Sequence, residues 1–342
     1  MPMRAALFSE HGGPEVVRID EVRTPEPGPG EVRVAVQASS MNHLDLWVRR
    51  GLPIETTMPH IGGSDIVGVV DAVGPGVEDV VGTRVVVDPS LDYDSYEGRP
   101  RGPSFDDPPL RLIGEHTDGG HAEHTVVPAD NCLEVPDGFP AERAAAAGLV
   151  FVTAWRALLT RGRLRPGERV LVTGGSGGVG TAAVQIARRA GAEVHAVTSG
   201  PENRRRLEAL GADAVYDRLA GDWAGPLREA TGGRGVDVAF DAVGQAVWES
   251  CLRSLAVGGR LVTSGATTGA AGKTEIRHVF WKQLSILGST MGTPAEFREV
   301  MGLVFAGRLE PVVHEVVPLE EARRAHELME EGDVFGKLVI VP

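Results

Sequence analysis

The strongest chemical signal in the chain is the glycine-rich stretch Gly174-Gly175-Ser176-Gly177-Gly178-Val179-Gly180. It follows a strand-like apolar run, Arg169–Thr173, and leads into a helix-like run, Val179–Ala190. The pattern Gly175-x-Gly177-x-x-Gly180 at a strand-to-helix turn suits the pyrophosphate of a dinucleotide. Gly175 permits a tight turn, Gly177 lets backbone approach the pyrophosphate, and Gly180 lets the helix lie close to the strand. Free N–H groups at the helix start, along Ser176, Gly178 and Val179, then face the anion.

The next strand bears on which dinucleotide. An NAD site usually offers Asp or Glu at that strand's tip to hold the ribose 2′-hydroxyl. Here the tip is Val197-Thr198-Ser199-Gly200, with Arg204, Arg205 and Arg206 close behind. Losing the carboxylate removes repulsion against a 2′-phosphate, while hydroxyls and an arginine attract it. Thr198, Ser199 and Arg204 are therefore expected contacts, with NADP(H) preferred over NAD(H). Ser199 and Glu202 also fit a capping box, and the arginines a solvated helix face.

These residues need a scaffold. From about Glu142 the pattern alternates. Helix-like Ala144–Arg161 is followed by strands at Arg169–Thr173, Glu193–Val197, Ala214–Tyr216, Val236–Asp241 and Gly259–Ser264, with helices between them. Such a run implies a parallel sheet with helices on both faces. Asp241-Ala242-Val243-Gly244 and Ser264-Gly265-Ala266-Thr267 fall at carboxyl ends of its strands, where ligands bind. Val243, Gly265 and Ala266 are expected there to meet the nicotinamide end. The N-terminal third is β-patterned instead, through Val16–Asp20, Glu31–Ala38, Ile66–Val73 and Thr83–Val87, with a short helix over Asn42–Arg50. Residues 88–118 are rich in Asp, Pro, Gly and Arg and read as a long loop or lobe.

Two cysteines, Cys132 and Cys251, are too few for a disulfide framework or a thiolate zinc site. His116, His121 and His124 invite a metal reading. His121 and His124 border one strand and point to opposite faces, which argues against it. A net charge of −13 disfavours nucleic acid and anionic membrane as partners. No apolar run reaches the roughly 18 residues of a membrane span, and no leader pattern opens the chain. A cytoplasmic location is the expectation.

The chain resembles the medium-chain dehydrogenase/reductases. The likeness runs through Met3-Arg4-Ala5-Ala6, Asn42-His43-Leu44-Asp45-Leu46-Trp47, Gly63-Ser64-Asp65-Ile66-Val67-Gly68, the glycine loop and Phe335-Gly336-Lys337-Leu338-Val339. It implies a GroES-like, β-barrel catalytic domain at residues 1–147 and 290–342, and an inserted Rossmann, doubly wound α/β cofactor domain at 148–289. The family cleft between them holds the nicotinamide, with Thr153 packed near it.

The resemblance also implies a branch. Zinc relatives carry Cys, His and Glu at the places of Asn42, Ser64 and Asp65, and often Cys at Leu149. None of those positions here offers sulfur or imidazole, so no catalytic zinc is expected. The four cysteines of the relatives' structural zinc lobe map, without gaps, onto Tyr93, Tyr96, Arg99 and Asp107. Aromatic packing and an Arg99–Asp107 pair are expected in their stead.

Without a metal to polarise a simple carbonyl, acceptors that delocalise charge themselves are favoured. The expectation is a reductase of quinones or activated enones. A metal-free alcohol dehydrogenase and an inactive NADP(H)-binding sensor are the alternatives. Asn42, His43 and Asp45 are the candidate catalytic group: His43 as phosphate contact or acid, Asn42 and Asp45 as orienting residues. Some enoyl reductases of the family place a Tyr acid where Leu52-Pro53 stands here, so the proton donor has no obvious owner. Leu284–Met291 is expected as a late strand that pairs across a two-fold axis in a homodimer or larger homo-oligomer. Phe280 and Trp281 are candidate cleft-lining residues.

Overall fold

The computed structural model describes residues 2–52, 56–91 and 110–342. Tyr93, Tyr96, Arg99, Asp107 and Pro53, singled out above, lie outside them. The chain forms two compact units, residues 1–149 with 293–342, and residues 150–292.

The first unit is built on a mixed seven-stranded sheet. Its order is Cys132–Glu134, Arg84–Val87, Asp65–Val73, Glu31–Ser40, Lys337–Val341 and Val313–Pro318, with His124–Pro128 also paired to Glu31–Ser40. Alternation drives the central strand: Val32, Val34 and Val36 point inward and join Ile66, Val70, Val85 and Val127 in one core. The C-terminal strand returns to this sheet, pairing antiparallel with Ser39–Ser40 and parallel with Val313–Pro318. That return brings Lys337 beside residues from the other end of the chain. Pro2–Phe8, Arg18–Arg23 and His60–Ile61 form a smaller sheet. The expected strand over Val16–Asp20 begins later, because Pro14–Val16 winds into a short 3-10 turn.

The second unit is a six-stranded parallel sheet in the order Ala214–Asp217, Glu193–Thr198, Arg169–Val172, Val236–Asp241, Leu255–Thr263, Ser285–Gly288. Strand order reverses about Arg169–Val172, and the glycine loop leaves from that strand's carboxyl end. Its central strands, Arg169–Val172 and Val236–Asp241, are buried almost throughout, as a sheet covered by helices requires. Gly191 and Gly211, with φ of 81° and 112°, take the left-handed conformation expected after the helices they follow. The late strand is shorter than expected, Ser285–Gly288, and lies at the sheet's edge.

One long helix over Ala144–Arg161 does not form. Ala141–Ala145 ends, Gly148–Trp155 starts afresh, and Arg156–Arg161 widens into a π-helix with Gly162 N–H bonded to Ala157 O at 2.8 Å. The first break has a local cause. Leu149 N–H would bond to Ala145 O in a continuous helix. Instead Leu149 N donates to Asp65 Oδ1 (2.6 Å), while the Ser40 hydroxyl lies 2.9 Å from Ala145 O. Gly148 is required there, because a Cβ would stand 2.2 Å from Asp65 Oδ1.

Candidate active site and cofactor loop

In the first unit, Asn42, Asp65 and Lys337 meet in the interior. Asn42 caps the helix His43–Arg50. Asp65 opens its strand and is 1% exposed; Lys337 opens the C-terminal strand and is 3% exposed. Asp65 Oδ2 accepts from Ser40 Oγ (2.9 Å), Asn42 Nδ2 (2.9 Å) and Lys337 Nζ (3.2 Å), while Oδ1 accepts from Leu149 N. Lys337 Nζ also donates to Asn42 Oδ1 at 2.5 Å. Burial pulls the Lys337 pKa down, and Asp65 beside it pulls the other way. A buried carboxylate and ammonium thus satisfy each other with neutral groups completing the shell.

Asp45 is buried too. Its carboxylate accepts from the Asn42 N–H (2.7 Å) and the Gly63 N–H (2.8 Å), tying the helix start to the segment ahead of Ser64. Ser64 Oγ is buried with no hydrogen-bond partner among the described residues. His43 is exposed in the first helical turn, its ring 6.3 Å from that of Trp47. Desolvation by neighbouring protein, then the charges of Lys337 and Arg50, lower its pKa.

Residues 112–121 are stapled across His60–Ser64. Gly119 N bonds Ile61 O (2.8 Å), Gly120 N bonds Gly63 O (2.8 Å), and His121 N bonds Gly62 O (3.0 Å). A Cβ on Gly114 would stand 2.8 Å from Gly63 C and 2.9 Å from Ser64 N. The three histidines diverge. His116 Nδ1 accepts from Leu112 N (3.1 Å), and His124 faces Asp71 (3.2 Å). His121 is buried with its ring 6.4 Å from that of His326. Burial lowers the pKa of both rings. No cluster of three His, Cys, Asp or Glu side chains able to hold a metal occurs among the described residues.

In the second unit the glycine roles differ in one respect from expectation. The left-handed turn falls on Gly174 (φ 58°), not Gly175. Gly175 instead makes room for Leu207, whose Cδ1 would lie 2.8 Å from an added Cβ. At Gly180 a Cβ would lie 2.2 Å from Gly174 O, so helix Gly178–Arg189 packs on the loop before it at backbone contact. Gly177 has only Gly174 O at 3.5 Å, an ordinary contact. Among the described residues no protein atom demands glycine there. The helix start, with Ser176, Gly178 and Val179, leaves its first N–H groups for an anion.

At the neighbouring strand tip, Thr198 is buried and its hydroxyl has no hydrogen-bond partner among the described residues. Ser199 does not cap the following helix; Gly200 holds that position, at φ 81°, and Ser199 O accepts from Asn203 Nδ2 (3.1 Å). Arg204 Nε bonds Glu208 Oε1 (3.1 Å), an exposed pair that holds it weakly. Asp241, which the sequence reading gave no role, is buried. It accepts from Thr173 Oγ1 (2.6 Å) and Val243 N (2.9 Å), and so fixes the loop holding Val243. Burial raises its pKa. Ser264 Oγ, just before Gly265 and Ala266, is buried without a hydrogen-bond partner among the described residues. Thr153 is buried, and its hydroxyl faces Met291 Sδ at 3.8 Å. Phe280 and Trp281 are exposed.

Residues 28–137 match the alcohol dehydrogenase GroES-like domain, and residues 178–306 match the zinc-binding dehydrogenase domain. Crotonyl-CoA reductase of Streptomyces collinus is 31% identical over 95% of this chain and 82% of that protein. The chain belongs to the medium-chain dehydrogenase/reductase superfamily. Quinone oxidoreductase of Rattus norvegicus is 29% identical, covering 99% of this chain and 98% of its own length. Among solved structures, an NAD-dependent alcohol dehydrogenase matches with a TM-score of 0.92 at 40% identity, over 99% of this chain and 100% of that one. A crotonyl-CoA carboxylase/reductase in complex with NADP matches at 0.88 and 27% identity, over 99% and 94%. This medium-chain dehydrogenase/reductase is an oxidoreductase, with a GroES-like domain on a mixed sheet and a Rossmann-type parallel domain. No helix among its described residues is long and apolar enough to cross a membrane.

Proposed function

We propose that the protein is an NADP(H)-dependent, zinc-independent oxidoreductase that transfers hydride to a quinone or an activated enone or carbonyl acceptor. The observation that carries this reading is the Lys337–Asp65–Asn42 cluster. Where zinc relatives place metal ligands, this chain offers an amide, an unpartnered serine and one carboxylate. That carboxylate's oxygens already accept four hydrogen bonds, one from a buried ammonium. This donor set does not fit a zinc ion, which wants deprotonated sulfur, imidazole or free carboxylate in tetrahedral array. Acceptors that spread charge through conjugation need no such metal.

The glycine loop suits a dinucleotide, and bound NADPH would supply the hydride. The chain's own residues would bind the pyrophosphate at the start of helix Gly178–Arg189 and orient the nicotinamide from Val243, Gly265, Ala266 and Thr153. The strand tip without a carboxylate, the unpartnered Thr198 hydroxyl and the weakly held Arg204 support the phosphorylated cofactor. The two named relatives that reduce crotonyl-CoA and quinones support the acceptor class. A second reading, NAD-dependent alcohol or aldehyde chemistry, is favoured by the name of the 40%-identical solved structure. We place the protein in solution with small-molecule partners.

The test is oxidation of NADPH and NADH by chelator-washed protein against quinones, enones and aldehydes. We expect turnover with quinones or enones, a preference for NADPH and less than 0.1 equivalent of bound zinc, on the order expected of a metal-independent enzyme. NADH-dependent turnover of aldehydes alone would establish the second reading, and one equivalent of bound zinc would refute the metal-free claim. Tight NADPH binding without turnover of any acceptor would make the protein a cofactor-binding sensor.

A further inference from the structure

The last helix, Ala322–Glu331, carries an ionisable residue in its buried stripe. Ala322, Ala325 and His326 are its buried residues, and Leu328 and Met329 pack on the same core, against Leu46 and Ile340 among others. A helix that lays one face on a core normally fills that stripe with apolar side chains. His326 departs from this. It is 4% exposed, and its Nδ1 has no hydrogen-bond partner among the described residues. The ring of His121 stands edge-on to it, with centroids 6.4 Å apart. His121 is 2% exposed, and its Nε2 is likewise unpartnered among the described residues. Arg49 approaches from helix His43–Arg50 and is fully buried. Its Nε donates to Gly12 O (3.2 Å) and its Nη2 to Glu330. Residues four apart on a helix share a face, so the guanidinium on Glu330 lies one turn from His326. All these residues belong to the first unit.

The acids around this helix are engaged elsewhere. Glu330 is shared by Arg49 and Arg50, and Glu327 pairs with Arg323. Of the elements packed on the helix, Pro14–Val16 brings Glu15, which takes the Gly13 N–H (3.0 Å). Val313–Pro318 brings Glu315, held by Arg324 (2.8 Å), and His314, whose Nδ1 accepts from Phe335 N (3.3 Å). Leu319–Glu321 brings Glu320 and Glu321, held by Arg4 and Arg324. Lys337–Val341 brings Lys337, bound to Asn42 and Asp65. On the far side of His121 stand Asp45, Asp65, Lys337 and His60. Asp45 holds two backbone N–H groups, Asp65 accepts four bonds, and the His60 ring bonds Gly114 O (3.0 Å). We propose that His326 is an acid-sensitive latch: neutral, it seats helix Ala322–Glu331 on the first unit, and a proton on it, beside Arg49 and His121, drives the helix off.

The direction follows from the burial. Desolvation first, then the charges of His121 and Arg49, hold His326 well below the ordinary histidine range. Desolvation lowers His121 as well. An unfolded histidine titrates near about 6.5. Below that pH the unfolded chain therefore binds more protons than the folded unit. The stability that depends on neutral rings is complete above about pH 6.5 and is lost as the pH falls beneath it. For each histidine that gains its proton only on release, the equilibrium constant for release rises up to about tenfold per pH unit.

The experiment follows urea unfolding and amide hydrogen exchange of the whole chain from about pH 7.5 to about 5.5, in wild type, His326→Phe and His326→Gln. H326F keeps a ring in the core but has no proton to gain, and H326Q is a smaller neutral substitute should the phenyl ring not fit. Wild type should lose stability below about pH 6.5. Protection of amides 322–331 should fall before that of helix Gly178–Arg189 in the second unit. In either variant the unfolding constant should rise less steeply, by about tenfold per pH unit, and the helix should stay protected in acid. A ring that only fills space predicts the wild-type pH slope in H326F, and that slope overturns the latch. Should neither variant fold, wild-type stability that is flat over the same range overturns it. So does exchange at 322–331 that changes with pH no more than free amides do.

Discussion

Lys337 is the residue on which the metal-free reading turns. Removing one partner of a buried ion pair leaves an uncompensated charge and costs about 3–5 kcal/mol. Lys337→Met should therefore destabilise the protein by about that much in urea unfolding. Asp65→Asn added to Lys337→Met should restore part of the loss, because the stranded charge is gone. A single variant as stable as wild type would show that the ammonium does not hold this centre together. The sequence offered Asn42, Ser64 and Asp65 through their match to family positions, but not Lys337. Its partners lie 272 and 295 residues away, and only the return of the last strand brings them together.

At the scale of elements, local signals were legible and non-local ones were not. The glycine loop, its strand and its helix follow from adjacent residues, and the structure moves only the left-handed turn from Gly175 to Gly174. The helix expected over Ala144–Arg161 was misread because its broken bond is captured by Ser40 and Asp65 from distant strands. Within the loop, two glycines should separate packing from binding. Gly180→Ala puts a methyl 2.2 Å from Gly174 O, a backbone atom, so thermal stability and cofactor binding should both fall. Gly177→Ala meets only a 3.5 Å contact, so Tm should hold. NADPH Kd should nonetheless rise at least about tenfold, or ~1.4 kcal/mol. Unchanged affinity in Gly177→Ala, by fluorescence titration, would mean that no ligand approaches that position.

For the whole molecule, the parallel sheet leaves a question at its last strand. Ser285–Gly288 pairs with Leu255–Thr263 on one side and ends the sheet order on the other. An open edge with apolar side chains invites pairing with another chain unless charges or a cover prevent it. Ile286 on this strand is 42% exposed, and nearby in sequence Ile276 and Trp281 are 71% and 70% exposed. A closed two-fold pairing of this edge with its copy would bury these residues and remove both edges at once. We therefore expect a dimer mass by light scattering at micromolar concentration. Ile286→Lys, which places a charge on that edge, should shift the protein toward monomer while each unit keeps its fold by circular dichroism. A wild-type monomer would show that the edge is tolerated bare. A dimer unaffected by Ile286→Lys would place the interface on another face.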